Sequence, residues 1–119
     1  MSFDWKDYVY LAEELLARAK ESCLRSSISR AYYGVFCIAR NRKGYQNYEP
    51  KRGENIHWLV INEYKISRNV CDRDIGRTLD KLRKSRNDAD YKENKPINTG
   101  LAERSVLLAK SILAKLGIA

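Results

Sequence analysis

The chemistry-bearing residues of this chain gather in two stretches. The first is Arg86-Asn87-Asp88-Ala89-Asp90-Tyr91. Just before it, Ile75, Leu79 and Leu82 step by four and then three, which is the inward stripe of a helix. The next step of four lands on Arg86. An arginine that continues an apolar stripe faces a large desolvation cost unless a carboxylate, phosphate or carbonyl meets it. One reading is an anion or phosphate site between helices, because a guanidinium presents a fork of donors matched to such oxygens. The other is a helix-end arginine paired with Asp88 or Asp90, or bonded to the terminal carbonyls. The second stretch is Ser26, Ser29, Arg30 and Tyr33. Steps of three and four bring these close to one helical face. That polar strip can face the Arg86 segment, or it can lie in solvent with Tyr33 half-buried.

Two further features carry chemistry. His57 is the only histidine, and it opens a short helical run in Asn55-Ile56-His57-Trp58-Leu59. Histidine suits proton transfer near neutral pH. Flanked by core residues, with no second histidine and no serine or cysteine beside it, it reads as a packing or capping residue. The segment from Arg40 to Arg52 interleaves Arg40, Arg42, Lys43, Lys51 and Arg52 with Tyr45 and Tyr48. Bases of a single strand can stack on such tyrosines while cations hold the phosphates; a solvated loop has the same composition. No glycine-rich phosphate loop occurs. Cys23, Cys37 and Cys71 are odd in number and form no C-x-x-C pair. That argues for reduced thiols and against a disulfide framework or a zinc site.

The elements that must position these residues are helical. A chain of 119 residues with 44% apolar content suits one domain spanning residues 1–119. Period-3.6 blocks fall at about residues 4–20, 22–42, 54–65, 72–90 and 98–117. Asp4 is expected to cap the first block, with Arg18 and Lys20 at its far end. The second carries Leu24, Ile28, Ala31, Tyr32, Val35 and Ala39, broadened by Phe36 and Ile38, and is expected at the bundle centre. The third carries Ile56, Leu59, Val60 and Tyr64, and Gly117 ends the fifth. Four long helices and one short one, with short loops, imply an all-α, up-and-down bundle.

Composition narrows the partners. Lys and Arg total 23 against 15 acids, a net charge of +8. Such a surface attracts polyanions. No apolar run reaches the roughly 18 residues of a membrane span. The opening MSFDWKDYVY has no apolar signal-peptide centre. The expected location is the cytoplasm.

Three stretches in order resemble the HEPN family (higher eukaryotes and prokaryotes nucleotide-binding). Ser29-Arg30-Ala31-Tyr32-Tyr33-Gly34-Val35-Phe36 resembles its S-x-A-Y-Y-A-x-F signature. Asn55-Ile56-His57 is similar to the T-H-x-x-L start of its middle helix. Leu82 to Tyr91 resembles L-R-x-x-R-x-x-A-D-Y, its functional motif. The resemblance spans nearly the whole chain. It implies a helical bundle that dimerises with the motif helices meeting across the interface. It also implies metal-independent endoribonuclease activity of the toxin type, without a cofactor, opposed by a nucleotidyltransferase antitoxin. The family's ribonuclease motif is R, four to six residues, then H. Arg86 and Asn87 match it, whereas Tyr91 stands at the histidine position. Arg86, Asn87 and Tyr91 are thus the candidate catalytic residues, and Tyr91 is a candidate for adenylylation by the partner. Arg83, Arg86, Ser29, Arg30 and Tyr33 are the candidate RNA or nucleotide contacts, with tRNA or mRNA as the class of substrate. The alternatives are a non-catalytic RNA- or nucleotide-binding module and an antitoxin-like interaction protein.

Overall fold

A computed structural model describes residues 2–118. Among them the chain is all-helical, with five helices: α1 (Lys6–Leu16), α2 (Glu21–Arg42), α3 (Ile56–Lys65), α4 (Val70–Tyr91) and α5 (Thr99–Lys115). The helix order follows the five periodic blocks. No helix among the described residues is long and apolar enough to cross a membrane.

α2 is the central element. It packs against α1, α3, α4 and α5. Ser27–Ser29 and Gly34–Cys37 are buried, as are Ala31, Tyr32 and Ala39, so its middle turns scarcely meet water. Around it the core gathers Val9 and Ala12 of α1, Val60, Ile61 and Tyr64 of α3, Ile75, Leu79 and Leu82 of α4, and Val106, Ala109 and Ile112 of α5. Two buried hydroxyls tie the layers together. Ser27 donates to the Ala12 carbonyl at 2.7 Å, and Tyr64 donates to the Ala39 carbonyl at 2.9 Å. Both hydroxyls sit in a dry core, where an unmatched donor would be costly.

α1 corrects the expectation from periodicity. It ends at Leu16, so α1 and α3 are both short, with 11 and 10 residues. Residues 17–20 bury nothing, which leaves no tertiary contact to extend the helix. Ala19 takes a left-handed φ of 56° and turns the chain back. Arg18 therefore lies beyond the helix end, and Lys20 is the residue before α2. Trp5 rather than Asp4 occupies the N-cap position. Asp4 still accepts the Lys6 amide at 3.0 Å. Asn55, Asn69 and Asn98 cap α3, α4 and α5 through their side-chain oxygens, which is the role short amides play best. Gly117 has φ 77° just past α5, as its position there required.

α3 and α4 approach closely at Gly76. A Cβ there would stand 2.7 Å from the Lys65 backbone nitrogen and 3.0 Å from the Tyr64 Cβ. Only a glycine lets the two backbones meet at this distance, and that contact sets where His57 lies relative to Arg83. The C-terminal end of α4 is held differently. Arg25, reaching from α2, donates to the carbonyls of Asp88 (3.3 Å), Ala89 (3.0 Å), Lys92 (3.2 Å) and Lys95 (2.6 Å). Glu21 accepts from its Nε at 3.0 Å. One guanidinium thus caps the end of α4, adding to the Lys92 amide on the Asp88 carbonyl and supplying the Ala89 carbonyl.

Candidate functional site

Arg86 is buried, with 7% of its surface exposed. It lies where the stripe of Ile75, Leu79 and Leu82 placed it, one turn below Ala89, also buried. Three tyrosine rings surround its guanidinium, with centroids at 5.3 Å for Tyr32, 5.2 Å for Tyr33 and 5.9 Å for Tyr91. Each ring attracts the cation through its quadrupole, by about 0.5–2 kcal/mol. Tyr32 and Tyr33 come from α2, because consecutive residues there flank the α4 contact. Tyr91 comes from the last turn of α4 and is 72% exposed.

The hydrogen-bonding capacity of Arg86 is only partly used. Its Nε is buried and has no partner among the described residues. The nearest carboxylate oxygen, Asp90 Oδ2, is 3.9 Å from one terminal nitrogen, an ion pair rather than a hydrogen bond. Asp88 is taken by Lys92 at 2.9 Å and Lys95 at 2.7 Å. The terminal carbonyls of α4 are taken by Arg25. Of the partners the helix-end reading named, Asp90 is the one Arg86 meets, as a loose ion pair at 3.9 Å that leaves Nε unmatched.

Asp90 links this arginine to the polar strip of α2. Ser29 is buried and donates to Asp90 Oδ2 at 3.2 Å. Arg30 donates to the Ser29 hydroxyl at 3.4 Å. The Arg30 guanidinium also lies over the Tyr8 ring at 4.8 Å. Trp5, Tyr8, Arg30, Tyr33 and Asp90 line one open depression. Ser29, Arg30, Tyr33, Arg86 and Tyr91 are therefore brought together. Ser26 is exposed and takes no part. Asn87, on the solvent side of α4, is exposed.

On the other face of Tyr32 stands His57. The Tyr32 hydroxyl and His57 Nδ1 are 2.6 Å apart. The imidazole stacks on Phe36 at 4.4 Å and on Tyr32 at 5.6 Å, with Tyr33 edge-on at 6.0 Å. Its pKa is pushed down from 6.5 to about 4, first by burial and then by the charges of Arg86 and Arg83. Burial pushes the Tyr32 hydroxyl far above the ordinary tyrosine range. Near neutral pH both groups are neutral, one hydrogen bond joins them, and the outer ring nitrogen Nε2 takes no part in it. Arg83, one turn before Arg86, donates to Asp80 Oδ1 at 3.2 Å and lines a cavity with His57.

Sequence reading placed His57 in another segment, as a packing residue. It does pack, yet Tyr32 links it directly to Arg86. The missed signal was Tyr32 itself: its hydroxyl, buried in an apolar stripe, needed a partner. The basic segment after α2 divides. Lys43 pairs with Asp72 at 3.1 Å, and Arg40 bonds Asn41 at 2.9 Å. Tyr45 and Tyr48 meet edge to face at 5.2 Å, and Tyr48 donates to Glu54 at 2.7 Å. Its tyrosines are engaged with each other and with Glu54, not splayed as an open stacking surface.

Among the described residues no three His, Cys, Asp or Glu side chains cluster so as to hold a metal ion. Fold and site together define an all-helical bundle with a buried, tyrosine-framed arginine. No family model, curated protein or solved structure matches this chain.

Proposed function

We propose that this chain is an RNA-directed protein of the HEPN kind, acting as a metal-independent endoribonuclease in the cytoplasm. It is the toxin of a pair whose antitoxin is a nucleotidyltransferase, and it works as a homodimer with the motif helices facing each other. The observation that carries the reading is Arg86. A buried guanidinium with an unpartnered Nε, framed by Tyr33 and Tyr91 and backed by Ser29 and Asp90, fits an RNA phosphate.

In such cleavage the ribose 2′-oxygen loses its proton and attacks the neighbouring phosphorus. The bond to the 5′-oxygen breaks, that oxygen takes up a proton, and a cyclic phosphate remains. Arg86 stabilises the charge that builds on the phosphorus oxygens. Arg30 and Arg83 hold the flanking strand, and Asn87 orients it from the solvent side. The exposed Tyr91 hydroxyl serves as a proton donor rather than as a base. Its exposure also leaves it open to adenylylation by the partner.

A second reading, a non-catalytic RNA- or nucleotide-binding module, is favoured by one observation. The only imidazole is held at Nδ1 by Tyr32 and is a weak base. Cleavage of total tRNA and of a synthetic single strand in EDTA separates the two. The parent is expected to cut, and Arg86→Ala to lose at least about a hundredfold in rate while keeping its fold. Tyr91→Phe reports whether the hydroxyl takes part. A folded parent that leaves RNA intact at high enzyme excess sinks the catalytic reading and leaves the binding module. Dissociation of a dimer by Arg86→Ala, without any RNA phenotype, would instead make the cluster a subunit tie.

A further inference from the structure

Between α3 and α4 lies a cavity of about 160 Å³. His57, Trp58, Asn62, Lys65, Asp80 and Arg83 line it. It is separate from the Arg86 cluster, with Tyr32 and His57 standing between the two. Its walls carry three kinds of chemistry.

The first is a fixed cationic pair. Lys65 donates to Asp80 Oδ2 at 3.0 Å and Arg83 to Oδ1 at 3.2 Å, while Lys84 stands 3.4 Å away. Three cations share one carboxylate, so the wall keeps net positive charge. Asp80 pins Lys65 and Arg83 in place, and each keeps donors to spare. The second is a flat apolar surface. Trp58 is 63% exposed, although Val60, Ile61 and Tyr64 of the same helix are buried. Its indole is not needed by the core. The third is a free ring nitrogen. With His57 Nδ1 engaged by the Tyr32 hydroxyl at 2.6 Å, Nε2 is left without a partner among the described residues. A stacking ring, a neutral hydrogen-bonding nitrogen and two anchored cations within so small a space match a base, its edge and its phosphate.

We propose that this cavity takes one unpaired nucleotide of the bound RNA strand, its base stacked on Trp58, its edge on His57 Nε2 and its phosphate on Arg83 and Lys65. The proposal rests on the RNA-directed reading of the Arg86 cluster. Arg83 and Arg86 lie one turn apart on α4, so a strand whose phosphate meets Arg86 passes the mouth of the cavity.

Tryptophan emission tests this. Trp5 and Trp58 are the two tryptophans. A Trp5→Phe protein keeps an aromatic ring against Phe3 and Tyr8 and makes Trp58 the sole reporter. A short single-stranded RNA is titrated in two ways, with Trp58 emission followed for the unlabelled strand and anisotropy for the same strand end-labelled. Emission is expected to quench in parallel with the rise in anisotropy. In the Trp5-containing parent, Trp58→Ala is expected to weaken binding by about tenfold, as losing one base stack does, while Trp58→Phe keeps most of the affinity. Arg83→Ala weakens it as well.

Anisotropy that rises with Trp58 emission unchanged, and with Trp58→Ala neutral, overturns the cavity and leaves the RNA reading standing. Weakening by Arg83→Ala with Trp58→Ala neutral reduces the cavity to a phosphate contact and also overturns the proposal. No anisotropy change, with quenching by a free mononucleotide, overturns the strand for both sites. No response of either kind sinks the two readings together.

Discussion

At the scale of single residues, Tyr32 is the side chain on which both polar sites depend. Its ring faces the Arg86 guanidinium and its hydroxyl holds His57. Burial keeps that hydroxyl protonated and also keeps the imidazole neutral near pH 7. The energetic consequence falls on pH. His57 is disfavoured as a cation in the folded chain, because burial and then Arg86 and Arg83 oppose the charge. The unfolded chain has no such opposition and binds a proton near 6.5. Between pH 6.5 and about 4 the unfolded state therefore holds more protons than the folded one. Stability rises with pH across that window. The contribution is complete above the unfolded pKa and is lost as pH falls toward the folded one. Glu54, Asp80 and Asp88 have pKa values lowered from 4.5, 3.8 and 3.8, so their losses come at lower pH. Urea midpoints of the parent should fall from pH 7 to pH 5, and His57→Gln should flatten that part of the profile. An unchanged slope in the variant would mean that the imidazole titrates as it does in the unfolded chain.

At the scale of elements, α4 carries the site and Arg25 of α2 holds its end. The Arg25 side chain is 18% exposed. Its four carbonyl partners belong to Asp88, Ala89, Lys92 and Lys95, the segment that frames Asp90 and Tyr91. Arg25→Met keeps the apolar stem and removes the donors. It is expected to cost about 1–3 kcal/mol, since it leaves the part-buried Ala89 carbonyl unmatched. Amide exchange should quicken over Ala89–Lys92 more than in α5. Uniform exchange with unchanged stability would show that water replaces the guanidinium freely. This contact marks a limit of what the sequence reveals. Helix identity and the inward faces of α2 and α4 were legible, because periodicity reports burial directly. Arg86 was legible for the same reason: it breaks an apolar stripe without leaving it. Arg25 was not, since it looks like any exposed cation on α2, and its partners lie more than sixty residues away. Gly76 was silent too. A glycine inside a helix signals a close approach without saying to what, and the answer here is the backbone of Lys65. The end of α1 escaped because Leu16 is followed by residues that are good helix formers. Only the absence of anything to bury stops the helix there.

At the scale of the molecule, the radius of gyration is 14.1 Å, against about 13.5 Å for a compact chain of this length. The bundle is thus one tight unit, and its net charge of +8 is carried on a small surface. The count of charges was legible in the sequence; their grouping was not. Many acids are already matched: Asp88 by Lys92 and Lys95, Asp72 by Lys43, Glu13 by Lys110. Around the two sites the balance differs. Arg30, Arg83, Arg86 and Lys65 face Asp80 and Asp90, and the pair between Arg86 and Asp90 is loose. A diffuse positive surface and a focused strip predict different salt dependence. Each phosphate neutralised on a single strand contributes about −0.7 to the slope of log K against log salt. Four phosphates held by Arg30, Lys65, Arg83 and Arg86 would give a slope near −3, by the same proportionality. Removing Arg86 or Arg30 should weaken binding and make the slope shallower by about 0.7 each. Exposed lysines far from the strip, such as Lys110, should leave the slope unchanged when replaced by alanine. Anisotropy titrations across a range of salt, for the parent and these three variants, decide between the cases. A slope much steeper than −3 that Arg86→Ala does not alter would mean that RNA is held by the bulk charge of the bundle, and that the buried arginine serves the fold.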